Sequence, residues 1–253
     1  MKNSYPVKYG FARIAVIALA FFIHSYQYQA FSQDTDPART DYRLIFGGDY
    51  VNALKMIESN SWWADTLSKD GLDPGFTFSV IFPELIRYSS IADYIEIKGL
   101  EVLYVQYGRD YADFSVGLFQ MKPSFAEQIE SDILKYSFTD KYPSLLAINP
   151  DLSETPVFRR ARIIRLQDEY YQLLYLEAFI RIMDTLYPDP ADHSSDDKLI
   201  FYSTAYNTGY FKDEPVIRKE ITKKRFYRGM DATSEKYLYS DISLDYFLSG
   251  KER

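Results

Sequence analysis

Carboxylates are the side chains in this chain whose setting best suits acid–base chemistry, and Glu84 stands out among them. If the surrounding segment is a helix, the residues three and four positions away from Glu84 are Val80, Ile81, Arg87 and Tyr88. Burial on such an apolar face disfavours the charged form and raises a carboxyl pKa. A carboxyl that keeps its proton near neutral pH can act as the general acid in glycosidic bond cleavage. The alternative is a purely structural role, in which Glu84 forms a surface ion pair with Arg87.

Other catalytic machinery finds little support in the composition. The chain has two histidines, His24 and His193, and no cysteine, which disfavours a Ser-His-Asp or Cys-His site and structural zinc. The acidic cluster of Asp192, Asp196 and Asp197 could bind calcium, but its spacing does not fit an EF-hand loop and a solvated surface is favoured. No glycine-rich phosphate loop is found. The sequence therefore predicts no metal site and no cofactor.

The N-terminal 32 residues have the layout of a cleavable secretory signal. Lys2, Lys8 and Arg13 precede an apolar run over 14–23, no acidic residue occurs, and mostly small residues follow at 30–32. The apolar run is shorter than the roughly 20 residues that span a bilayer, so an uncleaved anchor is the weaker alternative. We expect cleavage near position 32 and export to the periplasm or the exterior. Without cysteine the protein is not a lipoprotein.

Net charge limits the partners. The chain carries a formal charge of −7, and removal of the leader with its three positive charges changes this to −10. Such an acidic protein is a poor ligand for the phosphate backbone, so nucleic acid is excluded as a partner. A basic cluster at 223–228 could contact an anionic cell wall, although a solvated face is the commoner use of such a cluster.

The patterning predicts a mainly α fold with a linker at 33–40 and a single domain at 41–253. Helical periodicity is predicted over 41–59, Ser61–Lys69, 76–88, 91–107, 153–186 and 198–206, with a further helix from Pro123. Pro83 should kink a helix or begin a new turn, and Gly108 should end one. The segment 111–121 is expected to be a loop. The tail from 211 is harder to interpret. A small hairpin could also occur, at a position that the sequence does not locate.

Two further segments add to the interpretation of Glu84. The sequence Ser-Val-Gly-Leu-Phe-Gln-Met-Lys-Pro at 115–123 and the sequence Ala-Tyr-Asn-Thr-Gly at 205–209 follow Glu84 in order. Together the three resemble the signature blocks of the lytic transglycosylase and goose-type lysozyme families. Those blocks are a catalytic Glu at the end of a helix, a Gly-Leu-Met-Gln block leading to a proline, and an Ala-Tyr-Asn-Ala-Gly block.

The resemblance implies a lysozyme-like domain with a sugar-binding cleft. In it Glu84 would protonate the oxygen between MurNAc and GlcNAc in peptidoglycan, then act as a base and draw the proton from the MurNAc 6-hydroxyl to give a 1,6-anhydro end. Gln120 should lie beside the scissile bond, and Tyr206 and Asn207 should orient the sugar or Glu84. The implied substrate-binding residues are Ser115, Gly117, Gln120, Tyr206 and Asn207. Gly117 and Gly209 would permit close backbone approach.

The chain departs from the family pattern in several places. Leu85 stands where the family usually has Ser, Phe119 replaces Met and Thr208 replaces Ala. Glu84 and Gly117 are 33 positions apart, more than is usual, which indicates an inserted helix over 91–108 in addition to extra helices at the N-terminus. The family often has a late tyrosine in its cleft, and Tyr237 and Tyr239 are open candidates.

The second carboxylate used by most glycosidases is not assigned by the sequence. Animal-type lysozymes have Asp two residues before the glycine of a comparable block, and Ser115 occupies that position here, with Asp113 nearby. A single-acid mechanism assisted by the N-acetyl group of the substrate is therefore preferred.

Three hypotheses stay open from the sequence. The first is a lytic transglycosylase acting on peptidoglycan glycan strands, and the second is a muramidase that cuts the same bond with water. The third is a non-catalytic wall-binding or scaffold protein of an envelope-spanning complex that retains a degenerate cleft. The oligomeric state is not predicted.

Overall fold

The computed structural model describes residues 40–90, 94–150, 152–188, 194–227 and 235–251. The predicted secretory signal and all of the predicted linker except Thr40 lie outside the described residues, as does His193. Within the described ranges, no helix is long and apolar enough to cross a membrane. Residues Tyr42–Arg253 belong to one compact unit.

The fold is mainly α, as the sequence predicts. In chain order the described helices are α1 (Tyr42–Phe46), α2 (Gly48–Ser59), α3 (Ser61–Lys69), α4 (Pro74–Ser90), α5 (Tyr94–Tyr107), α6 (Pro123–Lys135), α7 (Phe138–Lys141), a 3₁₀ helix η1 (Pro143–Ile148), α8 (Pro156–Gln167), α9 (Glu169–Leu186), α10 (Ser195–Thr208), α11 (Glu214–Glu220) and α12 (Tyr239–Lys251).

Helix α4 lies at the centre of the half of the domain that carries Glu84. It begins with Pro74, whose missing N–H costs nothing in a first turn, and the Asp73 carboxylate accepts from the amide of Gly75 at 2.9 Å. The helix continues through Pro83 instead of ending there. It packs against α2, α10 and α12. It also contacts α3 and α9, so Glu84 projects from a helix that has neighbours on several sides.

The segment between α5 and α6 confirms several local predictions. Gly108 has φ 86° and its amide bonds to the Tyr104 carbonyl, so it ends α5 where the sequence places a helix end. The loop that follows closes on itself through paired hydrogen bonds between Val116 and Met121. Pro123 then begins α6. Helix α5 lies between Glu84 and Gly117 in the chain, where an inserted helix is expected.

The single long helix predicted over 153–186 is wrong. The chain breaks at Asp168, whose carboxylate accepts from the amides of Tyr170 and Tyr171 and caps α9. The predicted apolar face also fails in α8, since Val157 and Ile164 are largely exposed. In α9 the prediction of a central helix holds, because almost every residue from Gln172 to Met183 is buried.

Two buried arginines explain why the buried face of α8 differs from the predicted apolar face. Arg159 and Arg162 are buried there, the first donating to the carbonyl oxygens of Val105 and Gln106 and the second to the Glu130 carboxylate. Buried guanidinium groups of this kind need acceptors on other elements. Those acceptors come from α5 and α6, so apolar periodicity within α8 could not reveal them.

The C-terminal tail folds over α4. Phe226 and Tyr237 exchange backbone hydrogen bonds of 3.1 and 2.7 Å, which is the small pairing that the sequence did not locate. Helix α12 follows and packs on α4 and α10. Its first residue, Tyr239, is buried and donates its hydroxyl proton to the Val80 carbonyl at 3.1 Å. The tail thereby forms part of the surroundings of Glu84.

Candidate active site

A cleft of about 350 Å³ opens over Glu84. Its lining comes from α4, from the loop before α6 and the first turn of α6, and from the end of α10 with the residues after it. Five of the residues singled out in the sequence line it together: Glu84, Ser115, Gln120, Tyr206 and Asn207. These five derive from three stretches of chain that are far apart in sequence, so the fold alone brings them together.

Glu84 is a buried carboxyl with one charged partner. The residue is 4% exposed, and the Arg87 Nη1 donates to both carboxylate oxygens, at 2.7 and 3.0 Å. Burial raises the pKa of Glu84, and the neighbouring Arg87 guanidinium opposes that rise without cancelling it. The apolar setting expected from the sequence is therefore present, and the ion pair with Arg87 forms as well, but at a buried carboxyl instead of at the surface.

Two buried tyrosines, Tyr206 and Tyr239, lie near Glu84 and donate to backbone carbonyls. Tyr206 donates to the Phe119 carbonyl at 2.7 Å, and Tyr239 donates to the Val80 carbonyl. Tyr239 also lies within hydrogen-bond reach of Glu84. The Tyr239 hydroxyl has one proton, for which the Val80 carbonyl and the Glu84 carboxylate compete, and its bond to Glu84 lowers the pKa of that carboxyl. Burial raises the pKa of both tyrosines, so they stay neutral.

Gly117 does not line the cleft but lies behind the lining residues, where it allows the loop to pack against α9. It has φ 70°, and a Cβ at this position would lie 2.0 Å from the Gln172 Nε2 and 2.5 Å from the Leu166 carbonyl oxygen. The Gln172 Oε1 accepts from the Phe119 amide at 2.7 Å. The glycine thus lets the loop approach α9 closely enough for Gln172 to hold it. This is a supporting role in the structure, whereas the sequence groups Gly117 with the substrate-binding residues.

Gln120 is held at the cleft in a strained turn. It has φ 52°, which is uncommon for a residue other than glycine, and its Nε2 donates to the Gly117 carbonyl at 2.7 Å. The amide group retains an acceptor oxygen and a second hydrogen for a ligand. The turn from Gly117 to Gln120 is closed on both sides by the Val116 and Met121 bonds. The loop therefore fixes Gln120 before any ligand arrives.

The end of α10 supplies the opposite part of the lining. Asn207 and Thr208 form its last turn, and Gly209 follows with φ 97°. A Cβ on Gly209 would lie 2.9 Å from the Phe211 ring, so this glycine allows Phe211 to fold back beside the cleft. Tyr206 itself packs edge-on against the rings of Phe125 and Phe179. These contacts fix the tyrosine.

Asp113 lines the same cleft but already has partners. Its two oxygens accept from the amide and the hydroxyl of Ser124, at 3.0 and 2.9 Å, and Lys122 lies 3.9 Å away. Asp113 therefore caps the first turn of α6 from outside the helix. A carboxylate in this setting stabilises the loop, and it is poorly placed to activate water unless those bonds change.

Sequence reasoning missed several residues of the site. Lys122 and Lys212 line the cleft, and Arg87 lines it beside Glu84, although the sequence suggested Arg87 only as a surface partner. Of the two tyrosines left open, Tyr239 reaches Glu84, whereas Tyr237 stacks edge-on against Tyr42 and Phe46 away from it. Arg87 follows Glu84 by three residues, and this helical spacing was the sequence signal that could have placed Arg87 beside Glu84 in the cleft.

Among the described residues, no group of three or more His, Cys, Asp and Glu side chains could hold a metal ion. Asp197 instead forms a capping box with Ser194 at the start of α10. No protein-family model matches the chain, and searches of curated proteins and of solved structures found no match.

Proposed function

We propose that the protein is an exported lytic transglycosylase with a lysozyme-like domain, which cleaves the β-1,4 bond between MurNAc and GlcNAc in peptidoglycan. The proposal is carried by one observation: Glu84, Gln120 and Tyr206 line a single cleft around a buried carboxyl whose pKa is raised. These residues come from the three blocks that resemble the family. The first step requires a carboxyl that carries a proton, and burial favours that form of Glu84.

The chemistry needs one carboxyl used twice. Glu84 transfers its proton to the bridging oxygen as the bond from that oxygen to MurNAc C1 breaks. The N-acetyl group of MurNAc stabilises the positive charge at C1. The 6-hydroxyl oxygen then bonds to C1 while its proton passes to Glu84, which regenerates the acid. The products are a GlcNAc end and a 1,6-anhydroMurNAc end, and no water is consumed.

The cleft also supports roles for its other residues. The Gln120 amide can bond to the N-acetyl or hydroxyl groups of the bound sugar, and Asn207 and Ser115 add further donors and acceptors. The Phe211 and Phe125 rings supply apolar surface of the type that packs on sugar faces. Tyr206 fixes the loop through Phe119 and so positions Gln120 relative to Glu84.

A muramidase is the nearest alternative, and Asp113 favours it. This second carboxylate lines the cleft with Glu84, as two-carboxyl hydrolases require. The engagement of both its oxygens by Ser124 favours the single-acid route instead. A non-catalytic wall-binding protein is supported by one feature, the ion pair through which Arg87 neutralises Glu84.

Analysis of digestion products by mass separates these functions. Purified sacculi are treated with the wild type, with Glu84→Gln, and with Glu177→Gln, the same substitution at another buried glutamate that lies outside the cleft. A transglycosylase releases muropeptides one water lighter than those from a hydrolase. We expect anhydro products from the wild type and Glu177→Gln, and release reduced at least 100-fold, on the order expected for loss of a general acid, from Glu84→Gln.

Each other outcome selects an alternative. Reducing ends from the wild type would establish a muramidase. Sacculus binding without release, identical for wild type and Glu84→Gln, would make the protein a wall-binding or scaffold component.

A further inference from the structure

The cleft is locally cationic in an acidic protein. Its charged lining residues are three cations, Arg87, Lys122 and Lys212, and two acids, Glu84 and Asp113, while the whole chain carries −7. When Glu84 is protonated, the excess of positive charge in the lining increases by one. Such a concave site attracts anionic groups even though the chain as a whole is acidic. The substrate should therefore carry a negative charge that reaches the cleft.

Arg87 is the cation best placed to receive that charge. Its guanidinium lies over the Phe226 ring, 4.8 Å from the centroid, and its side chain is 20% exposed where it lines the cleft. Glu84 engages it through Nη1 alone. This is not the two-nitrogen fork by which arginine holds carboxylates most tightly. A carboxylate from a ligand can therefore compete with Glu84 for Arg87.

We propose, on the basis of the proposed function, that Arg87 is a specificity residue that binds a carboxylate of the muramyl unit. Binding moves the guanidinium from Glu84 to the ligand, and Glu84 takes up a proton at the same time. The ligand itself thereby converts the resting ion pair into a general acid. Neutral glycans lack this trigger.

The groups that face Glu84 explain the proton uptake. They are Arg87 on its own helix, Tyr206 from α10, Tyr239 from α12, and Lys122 ahead of α6. Tyr206 donates its hydroxyl proton to a backbone carbonyl, whereas Tyr239 also bonds to Glu84 and lowers its pKa. Arg87 is the strongest of the influences that lower the Glu84 pKa. Once the ligand compensates Arg87, burial dominates, and the carboxyl binds a proton.

Two parts of peptidoglycan offer the carboxylate. The lactyl group of MurNAc carries it directly in strands without stem peptides, and in strands with stems that carboxyl is an amide and the carboxylates lie on the peptide. The disaccharide GlcNAc-MurNAc tests both sources, because it lacks the MurNAc-GlcNAc bond and cannot be cut. The probes are the free acid, its methylamide, and the disaccharide with a stem tetrapeptide.

Calorimetric titration near pH 6 in two buffers of different ionisation enthalpy measures affinity and proton uptake together. For the wild type we expect the free acid to bind about 10-fold more tightly than the methylamide and to take up as much as one proton per ligand. Arg87→Gln should bind both alike with no proton uptake. Glu84→Gln should keep the preference and take up no proton. The matched control is Arg218→Gln, an arginine paired with Glu214 on its own helix outside the cleft, and it should behave as the wild type.

Preference for the stem-bearing disaccharide over both others would assign the carboxylate to the peptide, with the same dependence on Arg87. Equal affinities of wild type for the free acid, methylamide and stem-bearing probes, or a preference that survives Arg87→Gln, would overturn the proposal. So would ligand binding to the wild type without proton uptake. Thermal unfolding of each variant checks that it is folded. Because no bond is cut in this experiment, its result is separate from the sacculus digestion that tests the proposed function.

Discussion

Two buried glutamates, Glu84 and Glu130, pair with arginine in different ways. Glu130 is fully buried and accepts from Arg162 at 3.0 and 2.8 Å, from Arg165 at 2.7 Å and from the Tyr175 hydroxyl at 2.5 Å. Glu84 receives bonds from one arginine nitrogen and borders a cleft. The first carboxylate is surrounded by donors, and the second is not.

The difference shows how one residue type serves structure in one place and chemistry in another. A buried charge is stable when several donors satisfy it, and Glu130 in α6 thereby joins α8 and α9. A buried carboxyl with few donors has a raised pKa and can change its protonation state. Glu84 meets that second description and also has access to a ligand. Donor number and access, rather than burial alone, distinguish the two.

The largest expected effect is on stability at Glu130. Glu130→Gln should lower the free energy of unfolding by about 3–5 kcal/mol, because Arg162 and Arg165 keep buried charges without their shared counter-charge. Glu84→Gln, the same change in the cleft, should raise it by about 1 kcal/mol, because a poorly satisfied buried carboxylate is removed. Urea denaturation of both variants measures this. Equal losses in the two would contradict the distinction.

The loop that carries Gln120 gives the next largest effect. Gly117→Ala should cost about 3 kcal/mol of unfolding free energy, since the left-handed backbone is strained by a side chain and Cβ would collide with Gln172 and the Leu166 carbonyl. The matched control is Gly99→Ala in α5, where a Cβ meets nothing within 4 Å, and a gain of about 0.5–1 kcal/mol is expected there. Denaturation midpoints report both, and a tolerated Gly117→Ala would show that the loop can move away from α9.

Glu177 has a raised pKa but lies outside the cleft, so it tests whether a raised pKa by itself accompanies catalysis. Burial, together with the nearby Asp70 carboxylate, raises its pKa to about 7, yet it lies outside the cleft and bonds to Ser144. Because the folded-state pKa lies above the ordinary value, ionisation opposes folding. The free energy of unfolding should therefore fall by about 2 kcal/mol as pH rises from about 5 to about 8. Glu177→Gln should remove this contribution to the pH dependence and leave sacculus digestion unchanged; parallel stability curves for the two proteins would contradict this.

Local signals in the sequence predicted much of the helical framework. Helix α3 has the predicted bounds, Pro123 begins α6, and Gly108 ends α5, because caps and breakers act on neighbouring residues. The apolar spacing that runs through 153–186 predicts one helix across Asp168. The structure shows instead that the Asp168 carboxylate caps a new helix there.

The remaining features depend on partners far away in the chain. Arg162 lies inside because Glu130 and Tyr104 accept from it, and they precede it by 32 and 58 residues. Gln172 holds the Phe119 amide across 53 residues. In the cleft, resemblance to known motifs brought together Glu84, Gln120 and Tyr206. The role of Gly117 depends on the packing of its loop against α9. The contact of Tyr239 with Glu84 depends on the packing of α12, and neither is visible in the local sequence.

The protonation of Glu84 in the folded protein is the measurement that bears most directly on this account. Carbon-13 NMR titration of side-chain-labelled glutamate, with the Glu84 signal assigned by its loss in Glu84→Gln, gives the pKa of that one carboxyl. We expect a value above the ordinary 4.5 in the wild type, and a higher one in Arg87→Gln because the opposing charge is gone. A value at or below 4.5 in both proteins would mean that burial does not favour the protonated form of Glu84 even without the Arg87 charge, and the acid proposed for bond cleavage would not exist.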